Sequence, residues 1–247
     1  MVKKSENLWY AEWFDTKYYH KLYKHRDEKE AELFMRNITT HLGLKTESHI
    51  LDLACGKGRH AQFLNTLGYK VTGLDLSENS ILTARENKNN NLSFYVHDMR
   101  EVYRREEFDA VFNLFTSFGY FDSQSDNLKV LTSISEMLKE DGVLVIDFMN
   151  AEKVINKLVA EEVKSLEGIE FHINRTYDGA HIFKNIQFND NGEQFEFTER
   201  VQALTRTHFE ELLEAAQFEL LTVFGNYMLE SFEEQKSDRL ILIARKR

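Results

Sequence analysis

The sequence predicts an α/β protein built on a doubly wound, mostly parallel sheet, with helices at the N-terminus and a small antiparallel sheet inserted late in the chain. Three observations carry this. Residues 50–58, Ile-Leu-Asp-Leu-Ala-Cys-Gly-Lys-Gly, read as a short apolar strand that ends in an acid and runs straight into a glycine loop. Short apolar runs then alternate with helical stretches, the rhythm of βαβ units. From residue 169 that rhythm gives way to alternating strands separated by Asp178-Gly179 and Asn191-Gly192, both hairpin signals.

The N-terminal segment, residues 8–42, is helical in pattern and rich in aromatics, with Tyr10, Phe14, Tyr18 and Leu22 four apart on one face and a second helix from about Asp27 to His41. Packing on the sheet is the default reading of such a stripe. After the glycine loop, Arg59 to Leu67 reads as a helix closed by Gly68. Glycine in the loop lets the backbone turn at positive φ and lets a ligand approach where a Cβ would collide, so Gly56 and Gly58 are contact candidates. Tyr69 to Leu74 forms the second strand and leads into Asp75, with Ser77 as cap of the following helix. An acid at the carboxyl end of a strand in a doubly wound sheet stands where ligands bind, and it can accept both hydrogens of a ribose diol.

Leu92 to Val96 is the third strand, ending in His97-Asp98-Met99. Phe108 to Phe115 is the fourth, a near-continuous apolar run suited to a strand buried on both faces and interrupted by Asn113, whose amide needs a partner or a ligand. The loop Thr116-Ser117-Phe118-Gly119-Tyr120-Phe121 is aromatic; Phe118 and Tyr120 either hold a cation and shape an acceptor pocket or cap the core. A helix from about Ser123 to Leu138 and a fifth strand, Val143 to Met149, follow. In the insertion, strands are expected at about Ile169–Tyr177, His181–Asn189 and Gln194–Leu204, and its polar members His172, Arg175, His181 and Arg200 are candidates to meet an acceptor. Thr207-His208-Phe209-Glu210 reads as a capping box opening a helix to Ala216, and Phe218 to Phe224 and Leu240 to Ala244 finish the sheet.

Residues 50–58 resemble motif I of the class I S-adenosylmethionine-dependent methyltransferases, hhDxGxGxG, with Ile50-Leu51, Asp52, Ala54, Gly56 and Gly58 on the marked positions and Ala54 in place of the usual first glycine. The resemblance covers roughly residues 45–150 and 205–247. It implies a seven-stranded Rossmann-like sheet with a reversed last strand and S-adenosyl-L-methionine as cofactor. It further implies a cofactor site that includes Asp52, Ala54, Cys55, Gly56, Gly58, Asp75 with Leu76, Asp98 beside the adenine amino group with Met99 against the ring, and Asn113 with Leu114 near the reacting methyl group. In related methyltransferases the N-terminal segment folds over the cofactor, which makes Tyr19 and Arg26 site candidates. The expected partition is residues 1–42 as helices packing on the core, 43–150 with 205–247 as the cofactor-binding core, and 151–204 as a lid or a dimer surface.

A dinucleotide-dependent dehydrogenase shares the strand, glycine loop, helix and acid. Its fingerprint, GxGxxG, aims a helix N-terminus at a pyrophosphate, whereas here Gly56 and Gly58 are followed by Arg59-His60-Ala61 and preceded by an acid. The net charge of −10 argues against a nucleic-acid surface, which needs clustered Lys and Arg. A small-molecule acceptor, methylated at nitrogen, oxygen or carbon, is the favoured partner; a protein or RNA acceptor and a cofactor-binding regulatory protein without turnover are the alternatives. The single cysteine, Cys55, permits no intramolecular disulfide, and no apolar run is long enough to span a bilayer, so the chain is expected to be cytoplasmic, as a monomer or homodimer, with no metal.

Overall fold

The computed structural model describes residues 9–23, 28–121 and 123–247. Among the described residues, the first three helices are α1 (Trp9–Trp13), α2 (Lys17–Leu22) and α3 (Glu28–Leu42). The aromatic stripe is therefore split. Thr16 adopts an extended conformation and its hydroxyl accepts the Tyr19 amide, which starts a new helix and turns Tyr18 and Leu22 away from Tyr10 and Phe14. Arg26 lies outside the described residues.

The core then follows as β1 (His49–Leu53), α4 (Arg59–Thr66), β2 (Lys70–Asp75), α5 (Glu78–Ala84), β3 (Leu92–Val96), β4 (Phe108–Asn113), α6 (Gln124–Met137) and β5 (Leu138–Met149). Ser77 caps α5 and Ser123 caps α6, each through its hydroxyl. β4 ends two residues sooner than the apolar run suggests, because Phe115 and Thr116 take positive φ. β5 starts earlier than expected: Glu140-Asp141-Gly142 lies inside it, marked by Asp141 at φ 58° and a register shift against β4.

A short helix, α7 (Ala151–Asn156), leads into the insertion, which holds β6 (Glu161–Leu166), β7 (Ile169–Tyr177), β8 (His181–Asp190) and β9 (Glu193–Gln202) as one antiparallel sheet in that order. The edge strand β6 escaped sequence reading because it is mostly exposed and carries no clear alternation; only Gly168, at φ 81° in the hairpin turn, marked it. The chain closes with α8 (Arg206–Ala215), β10 (Phe218–Phe224) and β11 (Arg239–Lys246). α8 begins earlier than its expected box, since Thr205 is the cap and His208 Nδ1 accepts the Thr205 amide.

The main sheet runs β10-β11-β5-β4-β1-β2-β3, with β11 antiparallel to both neighbours and the rest parallel, the seven-stranded order that motif I implied. β1 is buried along its whole length, as a central parallel strand between two helical layers must be. The layers form two apolar clusters, one around α6 and α8, the other around α3, α4 and α5. A third cluster joins the N-terminus to the insertion: Trp13, Tyr18 and Leu22 pack on Ile169, Phe171, Ile173, Ile186 and Phe188 of the inserted sheet. Helix α2 and the Trp13 end of α1 thus pack with the insertion, while Tyr10 of α1 packs against Phe121 of the core and α3 packs on the main sheet.

Candidate active site

The strand order reverses between β1 and β4, so the loops leaving their carboxyl ends part and leave a crevice. The loop after β1 turns through Ala54 at φ 62°, Gly56 at φ 54° and Gly58 at φ 78°. It is fastened to β2: the Cys55 amide donates to Leu74 O at 3.0 Å and the Gly56 amide to Asp75 Oδ2 at 2.7 Å, while Asp75 Oδ1 accepts the Ser77 amide at 2.8 Å. Burial pushes the Asp75 pKa up, and the Ser77 and Gly56 amides pull against it.

The two loop glycines do different work. A Cβ on Gly56 would meet nothing within 4 Å, whereas one on Gly58 would sit 2.5 Å from the Phe94 ring. Gly56 therefore keeps the crevice open, and Gly58 lets α4 approach β3. Asp52 also stands behind the loop, buried, with Oδ2 accepting the Ala61 amide of α4 at 3.1 Å. Burial, reinforced by the Asp75 charge, raises its pKa to about 7. An acid thus already occupies the amide of the α4 N-terminus that a dinucleotide's pyrophosphate would need.

The crevice opens into a cavity of about 720 Å³. On the β3 side Asp98 and Met99 line it; the Asp98 carboxylate receives a bidentate fork from Arg100, with Nη2 to Oδ2 at 2.6 Å. Burial would raise the Asp98 pKa, but the Arg100 hydrogen bonds and charge hold it below the usual carboxylate range. On the β4 side Leu114, Phe115, Thr116 and Ser117 form the wall.

The roof comes from the N-terminal helices and the insertion. Asp15, between α1 and α2, accepts Ser77 Oγ at 2.5 Å and the Asn79 side chain, tying the segment to the β2 side. Across the cavity, Glu199 of β9 accepts Trp13 Nε1 at 2.7 Å and the Tyr23 hydroxyl at 2.6 Å, with Lys184 Nζ at 3.8 Å. Trp9, Tyr10, Phe14, Tyr19 and Tyr120 make one continuous aromatic wall, with ring centroids 4.9–6.1 Å apart. His20 also faces the cavity, where burial and the Lys57 charge lower its pKa.

Of the residues singled out from sequence, Ala54, Cys55, Gly56, Asp75, Leu76, Asp98, Met99, Leu114, Tyr19, Tyr120 and Arg175 line this cavity. Seven do not. Asp52 and Gly58 lie behind the loop for the reasons given. Asn113 is fully buried and donates to Leu53 O at 3.1 Å, bracing β1 against the loop after β4, with its Oδ1 unpartnered among the described residues. Phe118 is buried against Phe209 in the core. His172, His181 and Arg200 do not line the cavity, since strand parity turns Arg175, Ile182, Lys184 and Glu199 inward instead. Cys55 has a buried thiol whose pKa burial pushes well up, leaving it neutral. Sequence reasoning missed Phe14, Glu199 and Arg239; for Glu199 the signal was its parity with Phe195 and Phe197, while nothing local marked Arg239.

No group of His, Cys, Asp and Glu among the described residues is placed to hold a metal ion, and no helix there is long and apolar enough to cross a membrane. S-adenosylmethionine fits the chamber. The volume lies in the range of roughly 300–1,000 Å³ typical of ligand sites, Gly56 leaves its wall open, and Asp75 and Asp98 reach it from neighbouring strands. A family model described as a methyltransferase domain matches residues 44–217. A glycine/sarcosine N-methyltransferase of Aphanothece halophytica is 28% identical over 90% of this chain and 83% of its own. In fold, the chain matches an S-adenosylmethionine-dependent methyltransferase from Clostridium acetobutylicum ATCC 824 with a TM-score of 0.79 at 19% identity, covering 93% of this chain and 96% of that one. An amino pentose methyltransferase from Micromonospora echinaspora, solved with S-adenosylmethionine bound, matches with a TM-score of 0.70 at 20% identity over 94% and 98% of the two chains. A domain match over well more than half the chain, on a sheet with this order and this crevice, means that the protein belongs to the methyltransferase domain family and is an S-adenosylmethionine-dependent methyltransferase.

Proposed function

We propose that the chain methylates the nitrogen of a small amine acceptor. The observation that carries this reading is enclosure: Asp75, Asp98 and the aromatic wall share one chamber, roofed on two sides by the Asp15 and Glu199 hydrogen bonds. A protein or RNA segment would have to displace that roof; a small amine would not. The relatives that methylate glycine, sarcosine and an amino sugar support nitrogen as the target.

In this reading Asp75 accepts the hydrogens of the ribose hydroxyls, Asp98 accepts from the adenine amino group, and Met99 packs on the base. Bound S-adenosylmethionine supplies an electrophilic methyl on a sulfonium, open to in-line displacement. The protein's own task is to orient the acceptor and exclude water, which the rings of Trp9, Tyr10, Phe14 and Tyr120 do. A neutral amine needs no proton removed before attack, so no dedicated base is required. His20, its pKa lowered, is uncharged at pH 7 and adds no repulsion toward a cationic donor. Residues 43–150 with 205–247 act as the cofactor-binding core, and 151–204 with α1 and α2 as its lid.

The test is formation of S-adenosylhomocysteine by the purified chain, measured by mass spectrometry against glycine, sarcosine, an amino sugar, a lysine peptide and RNA. Turnover on a small amine supports the proposal. Turnover on peptide or RNA alone overturns it, and tight S-adenosylhomocysteine binding with no turnover on any of them favours a regulatory protein.

A further inference from the structure

We propose that the buried ion pair between Asp147 and Arg239 is a positioning pair for the cofactor chamber, fixing Phe115 and Thr116 in the backbone conformation in which they form its β4 wall. Both residues take left-handed φ, 61° and 63°, directly after β4 at the switch point, and both line the cavity. Two consecutive non-glycine residues there are strained, and a β-branched threonine is the less tolerant of the two. Such a conformation persists only where its surroundings over-determine it.

The surroundings are Asp147 and Arg239. Asp147, near the end of β5 and fully buried, accepts the Phe115 amide on Oδ2 at 3.0 Å, and its backbone oxygen accepts the Thr116 amide at 2.8 Å. Arg239, at the start of β11, donates Nε to Asp147 Oδ1 at 2.6 Å and Nη2 both to Thr116 Oγ1 at 3.1 Å and to Asp147 O at 3.3 Å. The Tyr227 hydroxyl donates to Asp147 Oδ2 at 3.0 Å. Asp147 thus holds the two successive amides of 115 and 116, while Arg239 and Tyr227 hold Asp147 itself and Arg239 also holds the Thr116 hydroxyl. Because each peptide is planar and trans, drawing the amides of 115 and 116 toward Asp147 turns the carbonyls of Leu114 and Phe115 the opposite way. The pair thereby sets the orientation of the whole wall, including the Phe115 ring, which stacks on His60 beside the glycine loop at 5.6 Å.

Stability alone does not account for the arrangement. A buried ion pair is commonly replaceable by apolar residues without loss of stability, whereas the planar fork of arginine reaches three acceptors that an apolar side chain, or lysine, cannot serve together. The inference concerns the family-level cofactor site and does not depend on the acceptor being an amine.

The experiment is calorimetric titration of the full chain with S-adenosylhomocysteine, alongside amide exchange at Phe115 and Thr116 and the thermal midpoint. Arg239→Lys keeps the charge and loses the fork; it is expected to weaken binding about 10-fold and to expose both amides to exchange. Combining it with Thr116→Gly, which removes the strain the pair holds, is expected to cost less than the product of the two single effects. If Arg239→Lys does not fold, Tyr227→Phe removes one neutral hydrogen bond to the same carboxylate and is expected to move affinity and exchange in the same direction by about 3-fold. Wild-type affinity in a folded Arg239→Lys protein, or in Tyr227→Phe should Arg239→Lys not fold, overturns the proposal; so do single effects that simply multiply. Failure of the wild-type chain itself to bind S-adenosylhomocysteine would instead contradict the cofactor assignment.

Discussion

The Gly56 amide donates to Asp75 Oδ2 at 2.7 Å, so the acid that ends β2 holds the glycine loop that leaves β1. With the Ser77 amide on Oδ1, both carboxylate oxygens are anchored and each keeps a lone pair for a ligand. Asp75→Ala therefore removes ligand contacts and the tether of the loop together. The dissociation constant of S-adenosylhomocysteine is expected to rise by at least about 10-fold, the scale of losing hydrogen bonds to a charged group. Calorimetry reads this directly, and an unchanged constant would remove Asp75 from the cofactor.

The two loop glycines separate affinity from stability. Gly58→Ala places a methyl 2.5 Å from the Phe94 ring at φ 78°, so overpacking and left-handed strain add, at about 1–3 and 1–2 kcal/mol. Gly56→Ala meets no neighbour within 4 Å and points into the chamber at φ 54°. Urea unfolding should show the larger loss for Gly58→Ala, and ligand titration the larger loss for Gly56→Ala. Equal affinity losses in both would mean that Gly58, too, faces the ligand.

The contrast also shows what a sequence makes legible. Glycine spacing marked the loop, but only the third dimension tells a glycine needed for a ligand from one needed for a neighbouring ring. The central strands of the main sheet were readable because they are near-continuous apolar runs or lead into an acid, as β4 and β2 do. Strand β6 was not, since an exposed edge carries no burial pattern. His172, Arg175, His181 and Arg200 were chosen by residue type; strand parity, visible in the alternation of Ile182, Ile186 and Phe188, turns only Arg175 of these inward, with Lys184 and Glu199 beside it. Arg239 was beyond reach from sequence, because its partner Asp147 lies far away in the chain and is joined to it only by the antiparallel pairing of β11 with β5.

The roof should loosen when its polar clamp is weakened. Glu199 accepts Trp13 Nε1 at 2.7 Å and the Tyr23 hydroxyl at 2.6 Å, bonds to a charged acceptor worth about 1.5–3 kcal/mol each. Glu199→Gln keeps the shape and loses the charge. Local opening of α1 and α2 becomes more frequent, and trypsin cleavage after Lys17 or Lys21 is expected to quicken by about 10-fold, with the core left intact. Cleavage at the wild-type rate would show that the apolar cluster around Trp13 and Tyr18 holds the roof unaided.

Two buried groups near the start of the core should impose opposite pH slopes on folding stability. Asp52 has its pKa raised from 3.8 to about 7, first by burial and then by the Asp75 charge. Between those values the native state keeps a proton that the unfolded chain has released, so this contribution is present at low pH and falls by about 1.4 kcal/mol per pH unit as pH rises toward 7. His49 is the reverse: burial and the Lys70 charge lower its pKa from 6.5 to about 4, against the pull of Glu107 and Asp109. From pH 4 to 6.5 the unfolded chain binds a proton that the native state refuses, so stability rises with pH across that window. The two slopes offset one another in the wild type below pH 6.5. Asp52→Asn should leave a profile that climbs with pH, and His49→Gln one that descends. Urea unfolding at half-unit steps from pH 4.5 to 7.5 measures both, and a wild-type profile in Asp52→Asn would mean that Asp52 ionises in the native state as it does in the unfolded chain.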